Sequence, residues 1–147
     1  MALAVSLFAL IPASGCGKDE VIPPSAEAVK AERALDALAK MEAAYKARDI
    51  NGVLQPVSQD FAGGLGALEA SVRKDMETFV RVSLETHVDR VVESGNDVSV
   101  MMHWNGKWWD KSGREVEGRG NAVFRFTDTG EMRLFSVTGD NPFAVVR

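Results

Sequence analysis

The apolar residues of this chain fall into three regimes. Met1 to Ala13 (MALAVSLFALIPA) is a continuous uncharged apolar run. From Ala26 to about Arg81 apolar positions recur every three or four residues, the spacing of one helix face, and beyond that every second residue, the spacing of one sheet face. In the helical part Val29, Ala31, Leu35, Leu38, Met41 or Glu42, and Tyr45 form a stripe on an Ala-rich segment with no Gly or Pro between Ala26 and Arg48. This predicts a long helix. Ser25, behind Pro24, is placed to cap it with its hydroxyl, and Asp49 and Asn51-Gly52 end it. A short helix over Asn51–Leu54 stops ahead of Pro56. After the flexible Gly63-Gly64 and Gly66, the residues Leu65, Leu68, Val72, Met76 and Phe79 predict a second long helix over Leu65–Arg81, with Glu69 and Arg73 paired on its outer side.

Strand spacing then takes over. Val82, Leu84, Val88 and Val92 alternate with Ser83, Glu85, His87 and Glu93; Val98, Val100, Met102 and Trp104 alternate with Ser99, Met101, His103 and Asn105. Ala122, Phe124 and Phe126 mark the inward parity of a third strand over Val116–Thr127, and Met132–Thr138 is a fourth. Ser94-Gly95-Asn96-Asp97, Asp110-Lys111-Ser112-Gly113 and Asp128-Thr129-Gly130 supply the turns. Connections this short allow only an antiparallel meander. Helices first and strands afterwards give an α+β fold with the helices on one face of a four-stranded sheet.

Composition narrows the function classes. A chain of 147 residues with 46% apolar and 26% charged residues is one domain with a core. With 17 Lys+Arg against 21 Asp+Glu, there is no basic footprint for nucleic acid. One Cys excludes an internal disulfide, and two His with no neighbouring ligands make no metal site, so neither a metal nor a cofactor is expected. No charged residue precedes Lys18. Residues 1–15 therefore read as a signal peptide, 16–25 (with Pro23-Pro24 holding the chain extended) as a tether, and 26–147 as the folded domain. Ala13-Ser14-Gly15-Cys16 resembles the lipobox of bacterial lipoproteins. It departs from that family at Ala13, where a larger aliphatic residue is usual, and in having no N-terminal Lys or Arg. The resemblance implies that Cys16 carries acyl chains and anchors the protein to a membrane of the bacterial envelope. Gly17, in place of an Asp, points to the outer membrane. The alternative is a buried N-terminal helix with an ordinary free Cys.

A second resemblance covers about residues 28–143. It rests on Ala44-Tyr45-Lys46-Ala47-Arg48-Asp49 with Leu54 and Ser58-Gln59-Asp60-Phe61, and on a strand ending in His103-Trp104 before a turn and Gly113. It continues in Gly118 and Gly120 leading into Phe124-Arg125-Phe126, then Met132-Arg133-Leu134 and Gly139-Asp140-Asn141-Pro142-Phe143. This order is similar to the nuclear transport factor 2-like (cystatin-like) superfamily, which includes ketosteroid isomerase, scytalone dehydratase and the polyketide cyclases. The resemblance implies a curved sheet wrapped around a helix to form a cone, a conceivable homodimer through the outer sheet face, and no particular chemistry.

Aromatic and Met residues at regular spacing usually just pack, but Tyr45, Phe61, Met102, Trp104 and Phe124 could instead line a pocket in the cone, with Gly118, Gly120 and Ala122 making room. Trp108 and Trp109 must point to opposite faces, one inward and one to the rim or a partner. His87 and His103 lie on the polar parity. The strands show no Asp on their apolar face, so Asp60 with Tyr45 is the one defensible acid–base dyad. Three functions remain: a non-catalytic envelope-tethered module binding an apolar small molecule or a partner protein; an isomerase, dehydratase or hydrolase using Asp60 and Tyr45; and a structural or dimerising domain with a filled cone.

Overall fold

The computed structural model describes residues 23–146. The expected signal peptide and lipid attachment at Cys16 lie outside the described residues. Helix α1 (Ala26–Lys46) begins where Ser25 Oγ accepts from the Ala28 N–H at 3.1 Å, and buries Ala34, Ala37, Leu38, Met41 and Tyr45. Met41, not Glu42, takes the inward position, and Val29 stays exposed at the start of the stripe. Arg48 adopts the left-handed φ of 60° just after the helix, a place usually held by glycine. Its guanidinium donates to the Met76 carbonyl, so the elbow into α2 (Ile50–Leu54) is tied to α3 (Leu65–Thr78).

Strands β1 (Phe79–Ser94), β2 (Asp97–Asp110), β3 (Glu115–Asp128) and β4 (Met132–Gly139) form one antiparallel sheet in the order β1-β2-β3-β4. The α+β architecture is the expected one, with three corrections of detail. Helix α3 ends at Thr78 rather than at Arg81, because Phe79 pairs with Asp110 and draws the chain into the sheet. For the same reason β2 runs through Trp108-Trp109 instead of stopping near Asn105. Third, an irregularity between Val88 and Arg90 inserts one residue into β1, which reverses the facing of the rest of the strand. Val91, opposite Val100, packs on the core, where the alternation placed Val92.

The segment between α2 and α3 is clipped to the outer edge of the sheet. Ser58 N–H donates to the Leu134 carbonyl, Ala62 N–H to the Phe135 carbonyl, and Leu134 N–H to the Pro56 carbonyl. Toward the other end of β2 and β3, glycines on the inward face leave room for an indole. The Trp108 ring lies against Gly106 and Gly118, close enough that a Cβ on Gly106 would meet its ring at 2.1 Å. The core is the space between α1, α3 and the concave sheet face. Its largest fully buried side chains are Trp108, Tyr45, Phe124, Phe126 and Phe143.

Candidate functional site

The polar centre of the cone is built on α3. Its inward face carries Leu68, Val72, Asp75 and Met76, so a carboxyl stands where periodicity calls for an apolar side chain. Asp75 is 1% exposed and is the buried charged residue of the described chain. Burying such a group is costly unless hydrogen bonds replace its water. Here three do. Tyr45 O–H donates to Asp75 Oδ2 at 2.7 Å, Val145 N–H to the same oxygen at 2.8 Å, and Val146 N–H to Oδ1 at 2.7 Å. Trp108 Nε1–H in turn donates to the Tyr45 hydroxyl oxygen at 3.0 Å. Indole, phenol and carboxyl thus form one chain running from β2 through α1 to α3. Among the described residues no buried side-chain nitrogen or oxygen lacks a partner.

Burial, then the negative charge of Asp75 and the hydrogen bond to it, hold the Tyr45 phenol far above the usual tyrosine range, and the Trp108 bond offsets only part of this. Tyr45 is therefore a permanent donor at neutral pH and cannot act as a base. Both oxygens of Asp75 are engaged by groups of the chain itself.

Of the residues expected to line a pocket, Tyr45, Met102, Trp104 and Phe124 are core side chains, and Phe61 is half-buried and packs against that core. Aromatic rings pack among them. Phe143 sits edge-on to Tyr45 at 5.3 Å and to Phe124 at 5.8 Å, and the Trp104 and Trp108 rings meet edge-on at 5.9 Å. Gly118 accommodates those two indoles, and Gly120 accommodates the side chain of Asp140. Trp104 Nε1–H donates to the Asp140 carbonyl at 2.7 Å.

The Asp60–Tyr45 dyad does not form. Asp60 is exposed, its N–H donates to Ser58 Oγ, and it borders a groove of about 410 Å³ beside Arg125, Arg133 and Phe135, whereas the Tyr45 hydroxyl has Asp75 and Trp108 as partners. Asp75 is legible in principle, three residues after Val72 on the same helical face, but strand alternation can point to an inward Asp only on the strands. Trp108 and Trp109 divide as expected: the first is buried and the second is half-buried under the Arg81 guanidinium, 3.9 Å from the ring centroid. His87 and His103 stack across β1 and β2 at 5.0 Å on the outer face, and His103 Nδ1 lies 2.7 Å from Asp89 Oδ1.

The outer face also carries a wide groove of about 550 Å³, bordered by Glu85, Asn105, Lys107, Glu117 and Arg119. Lys107 bridges Glu115 and Glu117 there, which raises the Lys107 pKa and lowers that of Glu117.

No family model matches this chain, and no curated protein matches it. Solved structures do. One is a nuclear transport factor 2-like superfamily protein from Salmonella enterica serovar Typhimurium, with a TM-score of 0.68 at 12% identity over 80% of this chain and 94% of the other. The fold is that of the nuclear transport factor 2-like proteins. A protein from Streptomyces avermitilis, described provisionally as a dehydratase of the nuclear transport factor 2-like family, matches with a TM-score of 0.64 at 16% identity, over 76% of this chain and 95% of the other. A protein of this type and of unknown function from Burkholderia pseudomallei matches at 0.53 and 19% identity, over 76% and 92%. At these identities the nuclear transport factor 2-like fold is shared and the chemistry is not carried over.

Proposed function

We propose that this chain is a non-catalytic docking domain, held at a bacterial envelope by a lipidated Cys16, whose working surface is the outer face of its sheet. The observation that carries the reading is the state of the cone. Its carboxyl and phenol are bonded to each other, the carboxyl also accepts from two main-chain N–H groups, and the phenol accepts from the Trp108 indole, so among the described residues this buried pair faces no open space. A general base must reach its substrate's proton, and Asp75 is buried with both oxygens already accepting from the chain itself. The outer face is open and carries both signs of charge, which suits a partner protein of mixed charge or a second copy related by a two-fold axis. The resemblance to lipoproteins at Ala13-Ser14-Gly15-Cys16 supports the tether.

The test combines two measurements on the full chain isolated from membranes. Photo-crosslinking from position 105, in the floor of the groove, is expected to capture one discrete partner or a dimer. Extraction of the folded chain followed by mass spectrometry is expected to release no stoichiometric small molecule. Absence of any crosslink together with a stoichiometric apolar molecule overturns the reading. A second reading, a purely structural or dimerising domain, is favoured by the filled cone; it predicts the dimer crosslink alone.

A further inference from the structure

On the outer face of the sheet, β1 and β2 bring together two imidazoles that lie 16 positions apart in the chain. His87 and His103 are direct partners in the register, so their side chains leave the same face side by side. The rings stack at 5.0 Å with 20° between their planes, and both residues are exposed. Asp89 is the residue inserted between Val88 and Arg90, with no partner opposite it on β2. Its carboxylate reaches across to His103, with Oδ1 2.7 Å from Nδ1. A carboxylate accepts and does not donate, so Nδ1 of the neutral ring carries the proton and Nε2 keeps its lone pair. Metal-ligating histidines are held in this way: a carboxylate anchors one nitrogen and the other is left as a ligand. The His87 ring has no hydrogen bond among the described residues, so its nitrogens are available as well.

We propose that His87 and His103 form a two-imidazole site for a late first-row divalent metal ion, of the Cu²⁺, Ni²⁺ or Zn²⁺ class, with Asp89 as the positioning residue behind His103. Neutral imidazole suits these ions, whereas Mg²⁺ and Ca²⁺ call for oxygen ligands. Metal–nitrogen bonds of about 2.0–2.1 Å require the two ligand nitrogens to converge on one point. His87, the ring without a hydrogen bond, meets Nε2 of His103 by turning about its last side-chain torsion, which is broad for histidine, and the strands need not move. The sheet already holds the two side chains next to each other, so little ordering entropy opposes chelation. No group of three or more His, Cys, Asp and Glu converges among the described residues. The ion would therefore keep open positions for water, as an open surface site and not a closed structural cage. The expectation that two histidines make no metal site rests on their lack of ligands nearby in the chain; the pairing of β1 with β2 supplies the neighbour. Metal binding here does not depend on docking at the same face, since it needs only the two rings, whether or not a protein partner is present.

The experiment uses the full chain with zinc chloride as probe and magnesium chloride as control, and follows the ring resonances of His87 and His103 by NMR. Zn²⁺, and not Mg²⁺, is expected to shift both rings saturably with one common midpoint. His87→Ala and His103→Ala are each expected to weaken binding at the remaining ring about tenfold or more, because a lone imidazole loses the chelate. Asp89→Asn is expected to weaken binding about tenfold and to change the ring-nitrogen shifts of His103 from those of the Nδ1–H tautomer to those of a mixture, which loss of a nearby charge alone would not do. Rings that stay unmoved at about 1 mM Zn²⁺ overturn the proposal, including the case in which zinc is taken up at Cys16 alone. A His103 ring that responds equally well in His87→Ala also overturns it, and an unchanged tautomer in Asp89→Asn overturns the role given to Asp89. Should a variant fail to fold, the unmodified chain decides: two rings that titrate with different midpoints overturn the shared site.

Discussion

At the scale of single residues, the phenol of Tyr45 makes the clearest prediction. Its pKa is raised in the folded state, so the folded chain binds a proton that the unfolded chain releases near its ordinary value of about 10. The stabilisation is therefore complete below that pH and is lost as pH rises above it. Urea unfolding between pH 8 and 11 should show stability falling above about pH 10 by up to about 1.4 kcal/mol per pH unit from this group. Tyr45→Phe should flatten that fall, and at pH 8 should cost about 1–3 kcal/mol, because Trp108 loses its acceptor and Asp75 one donor. Two glycines offer a contrast. Gly106→Ala puts a Cβ into the Trp108 ring and should cost about 1–3 kcal/mol by overpacking. Gly66→Ala, in α3 with open space around it, should stabilise by about 0.4–1 kcal/mol through the unfolded chain. Thermal or urea melts of the two variants read out both signs. An unchanged Gly106→Ala would mean that the indole does not rest on that strand.

At the scale of elements, the irregularity in β1 decides which valine is structural. Period-two counting from Val82 leads to Val92, yet the residue inserted near Asp89 turns Val91 onto the core. Val91→Ser should therefore destabilise the domain by about 1 kcal/mol more than Val92→Ser, as read from urea midpoints at constant slope. Equal costs would show that the strand keeps its first parity. The helices are easier to read, since their spacing repeats over several turns. The end of α3 is not: Phe79 satisfies both the helical stripe and the strand, and its pairing with Asp110 settles the matter 31 positions further along. The spacing places Asp75 on the inward face of α3, but what it bonds to is not local. A carboxyl on that stripe has no local partner, and its donors come from α1 and from the segment after β4.

At the scale of the whole molecule, the described domain would be one part of an anchored protein. Expressed as the complete chain in a bacterium, the protein should partition with membranes, and Cys16→Ala should move it to the soluble fraction; fractionation with mass spectrometry of residue 16 checks this. Membrane recovery of an unmodified chain still carrying Met1 would remove the tether. Of the cone's expected lining residues Tyr45, Met102, Trp104 and Phe124 are buried, and Phe143 and the two indoles pack edge-on among them.

The sequence alone determined the architecture, because hydrophobic periodicity and turn chemistry are local: a helical stripe, then alternating strands on short turns, permit little besides helices laid on an antiparallel meander. It also marked Tyr45, Met102, Trp104 and Phe124 as inward-facing. Only the tertiary structure decided what the interior does. Whether a cone is open or filled depends on contacts between residues far apart in the chain: Asp75 with Tyr45 and Val145–Val146, Trp108 with Gly118, and Phe143 with Phe124. No periodicity encodes those distances, since each depends on how the whole sheet bends around α1.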